Sequence, residues 1–245
     1  MEMSRKALIT GSSRGIGRAI AISLARDGCE VYIQYATGHE KAEEVRRLLK
    51  EEKLPVHIVQ GDLTDTASVK KILEQTGEVD ILVLNASIQI RNKWEQITVE
   101  QYEKQMTCNF LSSLLLMQGT VPYMRRNQWG RIITIGSVQE RKPHPDMLIY
   151  SASKAAQTNM VTSLALQLAP DGITVNNIAP GVITTDRNKA ALSDAGYTQK
   201  VRESIPAGFF GRPEDCCGIV RLLCSDEGRY ITGQNIFVDG GKGIR

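Results

Sequence analysis

"ALITGSSRGIGRAI" (residues 7–20) sets a short apolar run, a turn carrying Gly11, Gly15 and Gly17, and the start of a helical pattern in immediate succession. Ile16, Ala19, Ile20, Ser23, Leu24 and Ala25 keep an apolar stripe at helical spacing, and Gly28 stops it. In a strand–turn–helix unit of this kind, glycines let the backbone approach a pyrophosphate closely, and the helix N-terminus stabilises its charge. The spacing here is GxxxGxG, and in that context it reads as a dinucleotide site.

The same alternation runs outward through the chain. Short β-branched runs, "ALIT" (7–10), "EVYIQY" (30–35), "VHIVQ" (56–60), "DILVL" (80–84), "RIITI" (131–135), "ITVNNIA" (173–179) and "QNIFV" (234–238), alternate with helical stretches. Helices are expected at 40–53, 66–76, 99–126, 149–169 and 213–225. The fold class is therefore α/β: a Rossmann-type, doubly wound parallel sheet of about seven strands with helices on both faces. No repeat or Ser/Gly-rich linker divides the 245 residues, so one dinucleotide-binding and catalytic domain over 1–245 is expected. The segment from about 184 to 210 is the least regular and is long for a connection, as substrate lids often are.

Composition excludes several classes. Hydrophobic residues at 42% and charged residues at 23% are globular values. The apolar runs fall short of the roughly 18 residues of a membrane span, and the opening "MEMSRK" leads straight into a strand, so neither membrane nor export is expected. A net charge of +3 is spread among acids along the chain, which gives no nucleic-acid signature. Five cysteines lack CxxC spacing and three histidines lack mutual spacing, so no metal is expected and a reducing, cytoplasmic setting is favoured.

A domain of this type that prefers NAD usually ends its second strand with an acid for the ribose 2′-hydroxyl. Here the strand ends "YIQYATG", with Tyr35 at the relevant spacing and no acid to repel a 2′-phosphate. Arg14, inside the glycine turn, can reach such a phosphate with its planar fork. NADP(H) is favoured over NAD(H).

"YSASK" places Tyr150 and Lys154 four residues apart on a helix, so both project from one face. A free phenol titrates near 10; a neighbouring ammonium and an oxidised nicotinamide both favour its ionised form, which makes the pair an acid–base device without histidine. The strand "RIITIGS" ends in Ser137, where open α/β sheets present ligand-binding groups.

Taken together, "TGSSRGIG" (10–17), "GDLTD" (61–65), "LNAS" (84–87), Asn109, Ser137, "YSASK" (150–154), "NNIAPGVITT" (176–185) and "ITGQNIFVDGG" (231–241) resemble the short-chain dehydrogenase/reductase superfamily over nearly the whole chain. Within its compact single-domain branch the flavour is closest to the 3-oxoacyl-[acyl-carrier-protein] reductases. The resemblance implies a catalytic tetrad of Asn109, Ser137, Tyr150 and Lys154. Tyr150 would exchange a proton with the carbonyl oxygen, Ser137 would position that oxygen, and Lys154 would bind the nicotinamide ribose and tune Tyr150. Asn109 would hold a water linking the lysine to solvent. It also implies cofactor contacts from Gly11, Ser13, Arg14, Gly15, Ile16, Gly17, Tyr35, Asp62, Leu63, Asn85, Ala86, Ser87, Tyr150, Lys154, Pro180, Gly181, Ile183 and Thr184. Substrate would meet Ser137, Gln139 and Tyr150, and the chain would assemble as a homo-oligomer, tetramer or dimer.

Two departures from the family pattern stand out. Ser87 replaces a glycine in "LNAS", adding a Cβ where backbone freedom is often needed. The segment "VQERKPHPDMLIY" (138–150) is unusually polar, which suits either solvent exposure or a polar or anionic substrate. The function expected is an NADP(H)-dependent interconversion of a ketone and a secondary alcohol. The alternative is an NAD(H)-dependent dehydrogenase of a sugar, polyol, sugar acid or hydroxysteroid; a non-catalytic dinucleotide-binding protein would have lost tetrad residues that are all present here.

Overall fold

In the computed structural model, which describes residues 4–189 and 193–244, the alternating pattern becomes a single parallel sheet. Strands β1 (Lys6–Ile9), β2 (Glu30–Tyr35), β3 (Val56–Gln60), β4 (Ile81–Leu84), β5 (Gly130–Ile135), β6 (Ile173–Pro180) and β7 (Asn235–Val238) lie in the order β3-β2-β1-β4-β5-β6-β7. The chain winds one way from β1 to β3 and the other way from β4 to β7. This leaves a crevice at the carboxyl ends of β1 and β4, where such sheets bind ligands.

Side chains of successive strand residues point to opposite faces, and two separate cores follow. On one face Ile9, Ile33, Val83 and Ile133 pack with Ile20 and Leu24 of α1 (Gly15–Arg26), Val45 and Leu49 of α2 (His39–Glu51), and Val220 and Leu223 near the chain end. On the other, Leu8, Leu82, Leu84, Ile132 and Val175 pack with Val69 and Ile72 of α3 (Thr66–Thr76) and with two long helices. Burial of the strands on both faces explains their unbroken apolar runs.

Local signals set the ends of the helices. Gly28, at φ +93°, follows α1, and the Asp65 carboxylate accepts from Ala67 N at 2.9 Å to cap α3. Thr98 and Gln101 form a reciprocal capping box at the start of α4 (Val99–Met106).

The helix expected over 99–126 is not continuous. A π-helical turn, Thr107–Leu111, separates α4 from α5 (Ser112–Arg126) and places Asn109 in the interior, fully buried. Such turns insert a residue into the helical ladder and are common at functional sites. α6 (Leu148–Leu168) follows β5. The region expected to be irregular contains α7 (Asp186–Lys189) and α8 (Ala195–Glu203), the latter capped by Asp194 accepting from Tyr197 N at 2.6 Å; residues 190–192 of the expected lid lie outside the described residues. α9 (Cys217–Cys224) completes the first face. No helix among the described residues is long and apolar enough to cross a membrane.

Candidate active site

The loops after β1 and β4 are stitched together at the crevice. The Thr10 hydroxyl accepts from Asn85 N at 2.9 Å and Ala86 N at 3.0 Å, while Asn85 Nδ2 donates to Thr10 O at 2.9 Å and Gly11 O at 3.1 Å. The Gln34 side chain bridges the next two loops, accepting from Gly11 N at 3.0 Å and donating to Gly61 O at 2.7 Å.

Gly11 and Gly15 adopt φ +62° and +58°, in the left-handed region that disfavours a side chain. A Cβ on Gly17 would lie 2.5 Å from Asn85 Nδ2 and 2.6 Å from Gly11 O, so this glycine permits packing of α1 beneath the turn rather than contact with the cleft. Ser87 carries no positive φ; among the described residues the non-glycine positions that do are Lys53 and Gln128, so the Cβ at 87 costs no backbone strain.

A cleft of about 730 Å³ runs along these loops. Gly11, Ser13, Arg14, Gly15 and Ile16 line its floor, and Tyr35, Asp62, Leu63, Asn85, Ala86 and Ser87 line the wall that follows. Beyond β2 the wall is Tyr35, Ala36 and Thr37, with no acid, and the Tyr35 hydroxyl stands 2.6 Å from His39 Nδ1. Burial, and then Glu43, push the Tyr35 phenol above its ordinary range. Asp62 does not cap α3; its Oδ1 accepts from Thr64 N and Thr64 Oγ1, both at 2.9 Å, holding the turn. A glycine turn with two left-handed residues, an open wall at the end of β2 and a cation at Arg14 fit a dinucleotide with a 2′-phosphate.

The other half of the cleft is built by β5, β6 and α6. Ser137 leaves β5 in an extended conformation, and its Oγ accepts from Gln139 N at 3.2 Å. Tyr150 and Lys154 project from adjacent turns of α6 and are 5% and 1% exposed, with the ammonium 5.8 Å from the centroid of the tyrosine ring. Ser137, Gln139 and Tyr150 line the cleft, as do Pro180, Gly181 and Ile183. Gln139 has its amide engaged, donating to Met147 Sδ at 3.2 Å and accepting from Ser151 Oγ at 3.1 Å.

Four of the expected residues are not on the cleft wall: Gly17, Asn109, Lys154 and Thr184. Lys154 stands behind Tyr150, donating to Ile135 O at 2.7 Å and to Gln157 Oε1 at 3.0 Å. Asn109 accepts from Ile88 N at 2.7 Å and donates to Ile88 O at 2.9 Å and Ser153 Oγ at 3.0 Å, and Ser153 donates to Tyr150 O at 2.7 Å. Thr184 donates its N–H to Gly211 O at 2.8 Å, and Thr185 takes its place on the wall.

Two supporting elements escaped the sequence reading. Gln157, fully buried, accepts from Lys154 and donates to Ser113 Oγ at 3.0 Å, and Ser113 donates to Asn109 O at 3.3 Å. A hydrogen-bonded chain therefore runs from Lys154 through Gln157, Ser113, Asn109 and Ser153 to the backbone carbonyl of Tyr150. The available signal was a glutamine three residues past Lys154, inside an otherwise small and apolar helix face.

The second element is Glu140, which turns inward from the polar segment. Its carboxylate accepts from Thr158 Oγ1 at 2.8 Å, from Asn177 Nδ2 at 3.3 Å and from Asn235 Nδ2, tying the loop after Ser137 to α6, β6 and β7. The cysteines form no disulfide among the described residues.

The family model described as Enoyl-(Acyl carrier protein) reductase matches residues 11–242. The 3-oxoacyl-[acyl-carrier-protein] reductase FabG of Staphylococcus aureus is 37% identical over 245 residues, 98% of this chain and 99% of the relative. The structure of a 3-oxoacyl (acyl-carrier-protein) reductase from Agrobacterium tumefaciens with NADP bound superposes with a TM-score of 0.92 at 34% identity, covering 96% of this chain and 93% of that one. A gluconate 5-dehydrogenase from Burkholderia cenocepacia in complex with NADP and tartrate also gives a TM-score of 0.92, at 31% identity over 99% of this chain and 97% of that one. With the glycine turn, the strand order and the Ser137, Tyr150 and Lys154 constellation in place over this length, the chain belongs to the short-chain dehydrogenase/reductase superfamily.

Proposed function

We propose that the protein is an NADP(H)-dependent oxidoreductase that interconverts a ketone and a secondary alcohol, with 3-oxoacyl thioesters as the leading substrate class. The observation that carries this reading is the placement of Tyr150 and Ser137 on one cleft wall, with the buried Lys154 ammonium 5.8 Å from the centre of the phenol ring. The names of the FabG relatives and the NADP-bound neighbour support the substrate class and the cofactor.

A bound nicotinamide dinucleotide supplies the hydride. Tyr150 gives its hydroxyl proton to the carbonyl oxygen in reduction and takes it back in oxidation. Ser137 Oγ donates to the same oxygen and stabilises charge that develops there. Lys154 presents its charge to the phenol and to the cofactor ribose, while Gln157, Ser113 and Asn109 keep the lysine and α6 in register. Helix α8 covers the cleft, with Tyr197 and Val201 on its wall. Arg14 takes the 2′-phosphate.

A second reading, a sugar-acid dehydrogenase, draws on the gluconate 5-dehydrogenase neighbour and on the basic residues of the substrate side. The same proposal includes a homo-oligomer, supported by exposed Val99 and Tyr102 on α4, Leu111 in the π-helical turn, and Leu148 and Leu166 on α6, and a cytoplasmic setting, supported by cysteines that form no disulfide among the described residues.

The test is NADPH oxidation against acyl thioesters, keto sugars, keto acids and cyclic ketones, in wild type and Arg14→Ala. Loss of the arginine's charge-assisted contact should raise KM for NADPH about tenfold, with little change for NADH. Equal performance of both cofactors, unaltered by the substitution, would overturn the cofactor assignment.

A further inference from the structure

Ser137 is held by the residues that follow it. Gln139 N donates to its Oγ at 3.2 Å and Glu140 N donates to its carbonyl at 3.0 Å, while Gly136 N, just before it, donates to Ile178 O at 2.7 Å. A hydroxyl that accepts from Gln139 N turns its own O–H away from that amide. Whatever anchors Gln139 and Glu140 therefore also fixes Ser137 on the cleft wall.

The Gln139 side chain is tied to Met147 and Ser151, around the first turn of α6. Glu140 reaches further. Its carboxylate accepts from Thr158 Oγ1 of α6 at 2.8 Å, from Asn177 Nδ2 of β6 at 3.3 and 3.5 Å, and from Asn235 Nδ2 of β7. All three donors are neutral, so the directions of hydrogen bonds hold the carboxylate in place.

These donors are themselves tied down. Asn177, fully buried, accepts from Thr134 Oγ1 of β5 at 2.5 Å and donates to Asn235 Oδ1 at 2.8 Å. Thr158 stands one turn beyond Lys154, with its hydroxyl 3.2 Å from Lys154 O. The cluster lies directly against the end of β5: a Cβ on Gly136 would be 2.6 Å from Asn177 Nδ2 and 2.8 Å from Glu140 Oε2. A side chain at the position before Ser137 would displace it.

We propose that Glu140 is a positioning residue, whose carboxylate sets the separation of the Ser137 and Tyr150 hydroxyls by bracing the turn after β5 against α6, one turn past Lys154. The proposal rests on the carbonyl-reductase reading above, in which both hydroxyls serve the same substrate oxygen. Ser137 leaves a strand and Tyr150 stands on a helix, so their convergence depends on what joins the two elements. A constellation of this kind must hold to within about 0.5 Å, and a displacement of about 1 Å costs on the order of a hundredfold in rate.

The test is a double-mutant cycle in single-turnover reduction of the best carbonyl from the panel above. Glu140→Gln keeps one oxygen acceptor and turns an amide towards the Asn177 or Asn235 amide. It should slow reduction about tenfold, with the dissociation constant for NADPH within about twofold of wild type. In a Ser137→Ala background the same substitution should slow reduction less than about twofold, because the group that it positions is gone. Slowing of equal size in both backgrounds, or none in either, would overturn the proposal. Thr158→Val, which removes the α6 donor alone, should show the same pattern at about threefold, and it replaces Glu140→Gln if that variant does not fold.

If wild type reduces no carbonyl, the carbonyl-reductase reading fails by itself. Crystal structures of the NADP-bound wild type and variant then decide, as they do where the Ser137→Ala background is too slow to follow. Movement of Ser137 Oγ against the Tyr150 hydroxyl by more than about 0.5 Å supports the proposal, and superposition of both hydroxyls overturns it.

Discussion

Replacing Gln157 with leucine separates the architecture behind Tyr150 and Lys154 from the two residues themselves. The side chain is buried and takes one hydrogen bond from the Lys154 ammonium at 3.0 Å while giving one to Ser113 at 3.0 Å. Leucine nearly conserves volume and deletes both. A hydrogen bond to a charged group contributes about 1.5–3 kcal/mol, and the buried Ser113 hydroxyl loses its donor as well. Stability should fall by about 2 kcal/mol, or about 4–8 °C in Tm for a chain of this length.

The functional consequence is separable from that loss. Lys154 would keep its bond to Ile135 O but lose the acceptor that orients it from the helix side. Below the melting range kcat should fall about tenfold, equivalent to about 1.4 kcal/mol in the barrier, while KM for the carbonyl substrate changes little. Gln157→Glu retains an acceptor for the ammonium and should recover most of kcat. Scanning calorimetry with steady-state kinetics on the three proteins is the assay. A leucine variant with reduced Tm and unchanged kcat would refute the positioning argument and leave Gln157 as packing alone.

Two further expectations concern the frame. Glu140→Ala removes the acceptor shared by Thr158, Asn177 and Asn235; Asn177 keeps Asn235 Oδ1 as an acceptor, but the part-buried Asn235 amide loses the carboxylate, so urea unfolding should report a loss of about 2–3 kcal/mol. Burial holds the Cys29 thiol up at about 11 and the Cys216 thiol at about 12. Because these folded values lie above the unfolded range of about 8.5, the stabilisation is complete below that range and is lost as pH rises through it towards 11–12. The urea midpoint should therefore fall between pH 8 and 10, and less so in Cys29→Ala.

Much of the fold was legible because buried parallel strands write themselves as apolar runs: each of the seven lies within a residue of its expected bounds. Tyr150, Lys154 and Ser137 were legible for a related reason, since one helix and one strand end fix their placement. What sequence left out depends on contacts between distant segments. Asn109 lies in a π-helical turn that periodicity reads as plain helix. Glu140 looked like a solvent-facing acid, yet Asn177 and Asn235 draw it inward across 37 and 95 residues of chain. Lys242 lines the cleft beside a turn in which Asp239 accepts from Gly241 N at 2.9 Å and Gly243 N at 2.6 Å, a contact no periodicity reveals. Helix α8 was hidden because none of its residues is buried and its start depends on the single cap at Asp194.

The central claim is that the Tyr150 hydroxyl carries the proton. Tyr150→Phe removes one oxygen from a wall that is otherwise unchanged, so the dissociation constant for NADPH, measured by fluorescence titration, should stay within about twofold of wild type. Single-turnover reduction should slow by at least about a hundredfold, the scale of a lost general acid. Comparable single-turnover rates in the two proteins, with cofactor bound equally, would contradict the account.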